Sequence, residues 1–146
     1  MVIRGVVGFC LVLLAFTAQA QKESLWKTLS KVSYEIRHDE TTQFDLEFPI
    51  FSDEVVALDS TEVTIEGWMI PLEELRGKSY FVLSALPFAN CFFCGGAGPD
   101  TVMEVFTDEV IRFTEKRIKV KGRLTINGDD PLRLMYILTE AELVDD

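Results

Sequence analysis

Residues that most often carry catalysis or hold metals are scarce in this chain, which has one histidine, His38, and three cysteines among 146 residues. His38 sits in a charged polar run and reads as a surface residue rather than a base. The sequence contains no G-x-S-x-G nucleophile elbow, no phosphate-cradling glycine loop ending in Lys-Ser/Thr, and no H-E-x-x-H pair, so three common routes to hydrolytic or phosphoryl chemistry are closed. Positive charge is also scarce. With 14 Lys and Arg against 24 Asp and Glu, the formal charge is −10, which argues against a nucleic-acid binder, because phosphate backbones are held mainly by Lys and Arg. The carboxylates Glu73-Glu74 and Asp129-Asp130 stand beside turns and read as solvating groups. Disorder is excluded too, since 48% of the residues are apolar and can fill a core.

The longest apolar run, Gly5 to Phe16, falls short of the roughly 20 residues a membrane-spanning helix needs. It follows Arg4 and precedes Ala18-Gln19-Ala20, a small-x-small cleavage pattern. Residues 1–20 are therefore expected to be a secretory signal peptide cut before Gln21. No cysteine stands at the cleavage point, which argues against a lipid anchor. Cleavage would leave 126 residues, a net charge of −11 and two cysteines, Cys91 and Cys94, with no transmembrane segment. The expected location is exported, periplasmic or secreted, where a cysteine pair bonds, binds metal or does redox work.

Beyond the signal, Leu25, Trp26, Leu29 and Val32 suit one face of a short helix. Loose alternation from Val32 to Phe51, interrupted at His38–Thr42, predicts two strands around a turn. Residues 21–51 thus form an expected N-terminal helix/strand extension, and 52–146 an expected barrel domain. Ser52 is placed to cap a helical turn carrying Asp53 and Glu54, with Val55, Val56 and Leu58 inward. Val63, Ile65, Gly67 and Met69 mark a half-buried strand with a glycine at a bend or close approach. Tyr80–Leu86 predicts a buried strand, Val102–Phe106 a third, and Thr107–Glu115 one short helix. Ile118–Ile126 alternates with a row of Lys and Arg, and after the turn at Asn127–Pro131 the stretch Leu132–Leu138 predicts the fifth barrel strand.

Five strands in this order predict an all-β fold, an OB-like five-stranded Greek-key barrel. In that topology the first and fourth barrel strands pair, so Glu62 and Glu66 should face the basic row, each opposite pair contributing about 0.2–1 kcal/mol. The row lacks interleaved aromatics apart from the off-register Phe113, so it reads as a salt-bridged face and not as a groove that stacks bases.

The segment with chemical content is Cys91-Phe92-Phe93-Cys94-Gly95-Gly96-Ala97-Gly98-Pro99. Two thiols at this spacing can share a metal ion, close a structural disulfide or cycle between reduced and oxidised states. Gly95, Gly96, Gly98 and Pro99 shape the loop, the glycines letting the backbone fold back toward thiolate sulfur. A closed zinc site needs four ligands. The missing ones would come from His38, Asp100 or Glu104, or from the same loop of a second subunit. For redox exchange the loop lacks a following helix or a neighbouring cation to lower a thiol pKa. Trp26 and Trp68 read as core or barrel-face aromatics, and Trp68, Phe92 and Phe93 are the candidate binding surface.

The run Val63-Thr64-Ile65-Glu66-Gly67-Trp68-Met69-Ile70-Pro71-Leu72, followed by an apolar strand, the cysteine loop and Gly98-Pro99-x-x-Val102-Met103-x-Val105, resembles a family of small exported bacterial proteins known only as a domain of unknown function. The resemblance covers roughly residues 50–140. It implies an OB-like fold in the cell envelope and no established activity. Relatives that accompany transporter components linked to zinc supply tilt the loop toward a metal. Many relatives carry a different loop here, so the role of the Cys91/Cys94 pair does not come from the family.

The expectation is a non-enzymatic binding or accessory module of the envelope, monomeric or homodimeric, with no catalytic residue assigned. Its Cys91/Cys94 loop would bind zinc or copper or form a structural disulfide. The alternatives are a thiol–disulfide redox protein and a pure scaffold for a protein partner.

Overall fold

The computed structural model describes residues 24–72 and 79–144. The signal-peptide expectation and the Glu73-Glu74 pair lie outside the described residues. A five-residue helix α1 (Leu25–Leu29) leads into strands β1 (Val32–Asp39) and β2 (Phe44–Phe51), then a helical turn α2 (Asp53–Val56). Five barrel strands follow: β3 (Glu62–Met69), β4 (Tyr80–Ser84), β5 (Val102–Thr107), β6 (Ile118–Ile126) and β7 (Tyr136–Leu143). They close in the order β3-β4-β5-β7-β6, with β5 and β7 parallel and the other described pairs antiparallel. The fold is the expected OB-like barrel. No described helix is long and apolar enough to cross a membrane.

A helix as short as α1 does not hold itself in water. It is held by tertiary contacts: Leu29 is fully buried and Trp26 nearly so, both within the barrel core. The Trp26 indole N–H donates to the Glu66 carbonyl at 2.8 Å, and the Tyr136 hydroxyl donates to the Leu29 carbonyl. Burying a side chain of leucine size contributes about 1.5–3 kcal/mol, which is what anchors the N-terminal segment to the barrel. At α2 the Ser52 side chain accepts from the Val55 N–H. Val55 and part of Leu58 face the core, but Val56 points to solvent. A single turn has room for one inward stripe.

Barrel closure rests on close backbone approach at Gly67. A Cβ there would stand 2.4 Å from the Ser84 carbonyl oxygen, so only glycine lets β3 and β4 meet. On the opposite edge β3 pairs with β6, placing Glu62 across from Arg123, Thr64 from Lys121 and Glu66 from Lys119. The expected ion pairs form: Lys121 to Glu62 at 3.0 Å, Arg117 to Glu66 at 3.4 Å and Lys119 to Glu66 at 3.7 Å. Glu62 holds the Lys121 ammonium above its ordinary range.

Two expected elements are corrected. Thr107–Glu115 contains no helix. The Thr107 hydroxyl donates to the Glu109 carbonyl at 2.6 Å, a local bond that competes with a helical ladder. Only Ile111 packs on the core, while Val110 and Phe113 are exposed. The last strand begins at Tyr136, not Leu132, and runs to Leu143. Residues 127–135 instead form a loop held by the Asn127 amide, which donates to the carbonyls of Asp130 at 2.9 Å and Leu134 at 3.2 Å. Leu132 at its tip is 80% exposed.

Candidate functional site

The loop between β4 and β5 carries three short 3-10 turns, at Phe88–Asn90, Phe92–Cys94 and Pro99–Thr101. Cys91 is fully buried against Ile70, Val82 and Val102, on the outside of the main core. Cys94 is exposed. The chain turns back at Gly95, whose φ of 74° and ψ of 13° place it in the left-handed region that other residues avoid. The Cys91 carbonyl accepts from the N–H groups of Cys94 at 3.1 Å and Gly96 at 3.2 Å. A Cβ on Gly96 would meet the Asn90 carbonyl oxygen at 2.6 Å. The two glycines fold the backbone around the first cysteine, with the N–H groups of Cys94 and Gly96 bonded to its carbonyl oxygen.

Both cysteines are free thiols, within hydrogen-bonding reach of each other. Desolvation first, and the neighbouring Cys91 second, push the Cys94 thiol above its ordinary range. The shift favours the protonated thiol over the thiolate. That is the opposite of what a nucleophilic exchange cysteine requires.

The accessory residues do not gather at the thiols. His38 lies on the exposed β1–β2 ribbon with Nδ1 3.0 Å from the Asp45 carboxylate. Glu104, on β5, is buried and accepts from Arg133 Nε at 2.8 Å, from Arg133 Nη2 and from the Leu134 N–H at 2.9 Å. Its lone pairs tie down the 127–135 loop. Asp100 is half-buried in the turn after Gly98, where its charge adds to burial in pushing the Tyr34 phenol up to about 12. Pro99 opens that turn, and the Gly98 carbonyl closes it by accepting from the Thr101 N–H at 3.1 Å and hydroxyl at 2.7 Å. Among the described residues, no group of three or more His, Cys, Asp or Glu side chains is placed to hold a metal ion.

The aromatic candidates separate into two places. Phe92 and Phe93 meet edge to face with centroids 5.4 Å apart. Trp68 is half-buried on β3, with the Arg117 guanidinium 5.3 Å from its ring centre. Phe92 also lines a cleft of about 370 Å³ with Tyr34, Phe48, Pro99, Arg133 and Leu134. Sequence reasoning missed this cleft, because its walls come from the ribbon, the cysteine loop and the loop joining the fourth and fifth barrel strands. The usable signal was topological, since that last loop is one of the two that bind ligands in OB folds.

No family model matches the chain, and no curated protein matches it in sequence. A solved structure similar to it is the crystal structure of a DUF3299 family protein from Pseudomonas aeruginosa PAO1, with 19% sequence identity and a TM-score of 0.45. The likeness covers 62% of this chain and 65% of that one, so this chain spans just under two thirds of the length of that protein. A likeness of this degree carries no argument about activity.

Proposed function

We propose that this protein is a non-enzymatic binding module of the cell envelope whose Cys91/Cys94 loop holds a transition-metal ion through two thiolates. The observation that carries the reading is the 3-10 turn Phe92–Cys94, closed by the Cys94 N–H on the Cys91 carbonyl at 3.1 Å, whose three-residue period brings the two cysteines to one side of the β4–β5 connection. Soft thiolates select copper(I) or zinc among common metals. With no third ligand gathered among the described residues, a single chain offers a two-sulfur site, which suits copper(I). Zinc, which takes four ligands in closed sites, would draw the second pair from another copy. Export rests on the pattern of residues 1–20.

A structural disulfide is the second reading, favoured by the complete burial of Cys91. It would staple the loop onto the patch formed by Ile70, Val82 and Val102. Thiol–disulfide exchange ranks third because the Cys94 thiol is pushed up rather than down.

The test is anaerobic reconstitution of the reduced protein with copper(I) or zinc(II), desalting, and elemental analysis against a thiol count. Retained metal that vanishes in both Cys91→Ser and Cys94→Ser supports the dithiolate site. A reduced protein that retains no metal contradicts it, and a bond that then forms in air and resists glutathione selects the disulfide.

A further inference from the structure

The β1–β2 ribbon is a two-stranded sheet outside the barrel, so each strand keeps one edge without a strand partner among the described residues. The two edges are not equivalent. β2 carries Pro49 opposite Tyr34, and a proline in a strand removes a donor from the ladder and is confined to the unpaired edge. β1 contains neither proline nor glycine, and its residues Ser33 to His38 are all exposed. Ile36 in its middle is 71% exposed. A long open edge bearing an exposed apolar residue is a template for adding a strand.

The order of side chains along that edge says which strand fits. Glu35 and Arg37 flank Ile36 and share one face of the ribbon, where they meet each other at 3.2 Å. If two copies of β1 pair antiparallel about a two-fold axis at Ile36, Glu35 of each falls opposite Arg37 of the other, and Tyr34 falls opposite His38. The strand is complementary to itself in that register, as a closed two-fold contact requires. A slip by one residue would set unlike faces together. We infer that the β1 edge is a homodimerisation surface, joining two copies of this chain into a continuous four-stranded ribbon. The ladder and the Ile36 contact supply the affinity, and the Glu35/Arg37 exchange sets the register. One strand edge buries less than a standard interface, so the dimer is a reversible one that forms with rising concentration.

The experiment is light scattering on the full chain across a concentration series, with amide hydrogen exchange read at residues 33–39. Dimerisation accompanied by new protection of those amides is the expected result. Arg37→Glu sets like charges opposite each other at two symmetry-related positions and should weaken dimerisation about tenfold or more. The exchange Glu35→Arg with Arg37→Glu should restore it. Because Arg37 also lies 4.0 Å over the Phe48 ring, the single variant disturbs the monomer as well. The double variant keeps the loss at Phe48 but also restores the pair within the strand, so mixing the Arg37→Glu chain with a Glu35→Arg chain, each of which repels its own copy and complements the other, isolates the cross-strand pairing. A wild-type chain that stays monomeric overturns the inference, as does a dimer indifferent to Arg37→Glu or a double variant that fails to recover.

Discussion

Arg133 grips the buried carboxylate of Glu104 through both Nε and Nη2, joining the loop before β7 to the centre of β5. The Glu104 side chain is only 6% exposed, whereas that of Arg133 is 40% exposed. Removing the arginine therefore strands a charge inside the protein. Arg133→Ala should cost about 2–3 kcal/mol, below the 3–5 typical of a fully enclosed pair because water reaches the vacated side. Urea unfolding measures it. Replacing Glu104 by Leu in the same chain should recover part of the loss.

A second long-range bond runs from the Tyr136 hydroxyl to the Leu29 carbonyl, 107 residues apart in sequence. Tyr136→Phe leaves that buried carbonyl unpaired and should cost about 1–3 kcal/mol, with α1 losing amide protection before the barrel does. Burial raises the Tyr136 phenol, and the Tyr34 phenol is pushed up to about 12. A raised phenol stabilises the folded state fully below the ordinary value near 10, and that contribution is lost as pH climbs through the folded value. Unfolding free energy should fall above about pH 10, and less steeply in Tyr136→Phe.

At the turn of the cysteine loop, Gly95→Ala forces a side chain into the left-handed region at φ 74°. No heavy atom within 4 Å opposes the added Cβ, so the cost is conformational alone, about 1–2 kcal/mol. Stability should drop by that amount in calorimetry. Metal retention should drop with it, because Gly95 caps the 3-10 turn that carries both cysteines, its N–H donating to the Phe92 carbonyl at 2.9 Å.

The raised Cys94 thiol has a consequence for binding. Metal takes the thiolate, so each ion bound by the pair must displace the protons of both thiols, and the upward shift of Cys94 from desolvation and Cys91 moves its share of that requirement to higher pH. Apparent affinity should rise with pH through the neutral range and level off above the thiol's folded pKa. Competition titrations at several pH values measure the slope. A flat profile contradicts thiolate ligation.

Much of the barrel was legible in the sequence, because period-two alternation at Val63–Met69 and Ile118–Ile126 fixes which side chains face inward. The Glu62/Glu66 row and the basic row could then be matched across one strand pair, as they are in the structure. Boundaries set by side-chain bonds were not legible: the start of β7 depends on Asn127 and Arg133 holding the preceding loop, and Leu132 alone mimics a strand residue. At the site, the left-handed turn after Cys94 could be read locally from Gly95 and Gly96. His38, Asp100 and Glu104 could not be placed, because which carboxylate meets a thiol and which meets a guanidinium is a matter of tertiary geometry. The cleft beside Phe92 was hidden for the same reason.

The most direct test of the dithiolate reading is X-ray absorption at the metal edge, recorded on protein reconstituted with copper(I) or zinc(II). Two sulfur neighbours per copper, or a sulfur-rich shell at about 2.3 Å for zinc, lost on Cys94→Ser, is the predicted result. A first shell of nitrogen and oxygen alone, unchanged by that substitution, would contradict it.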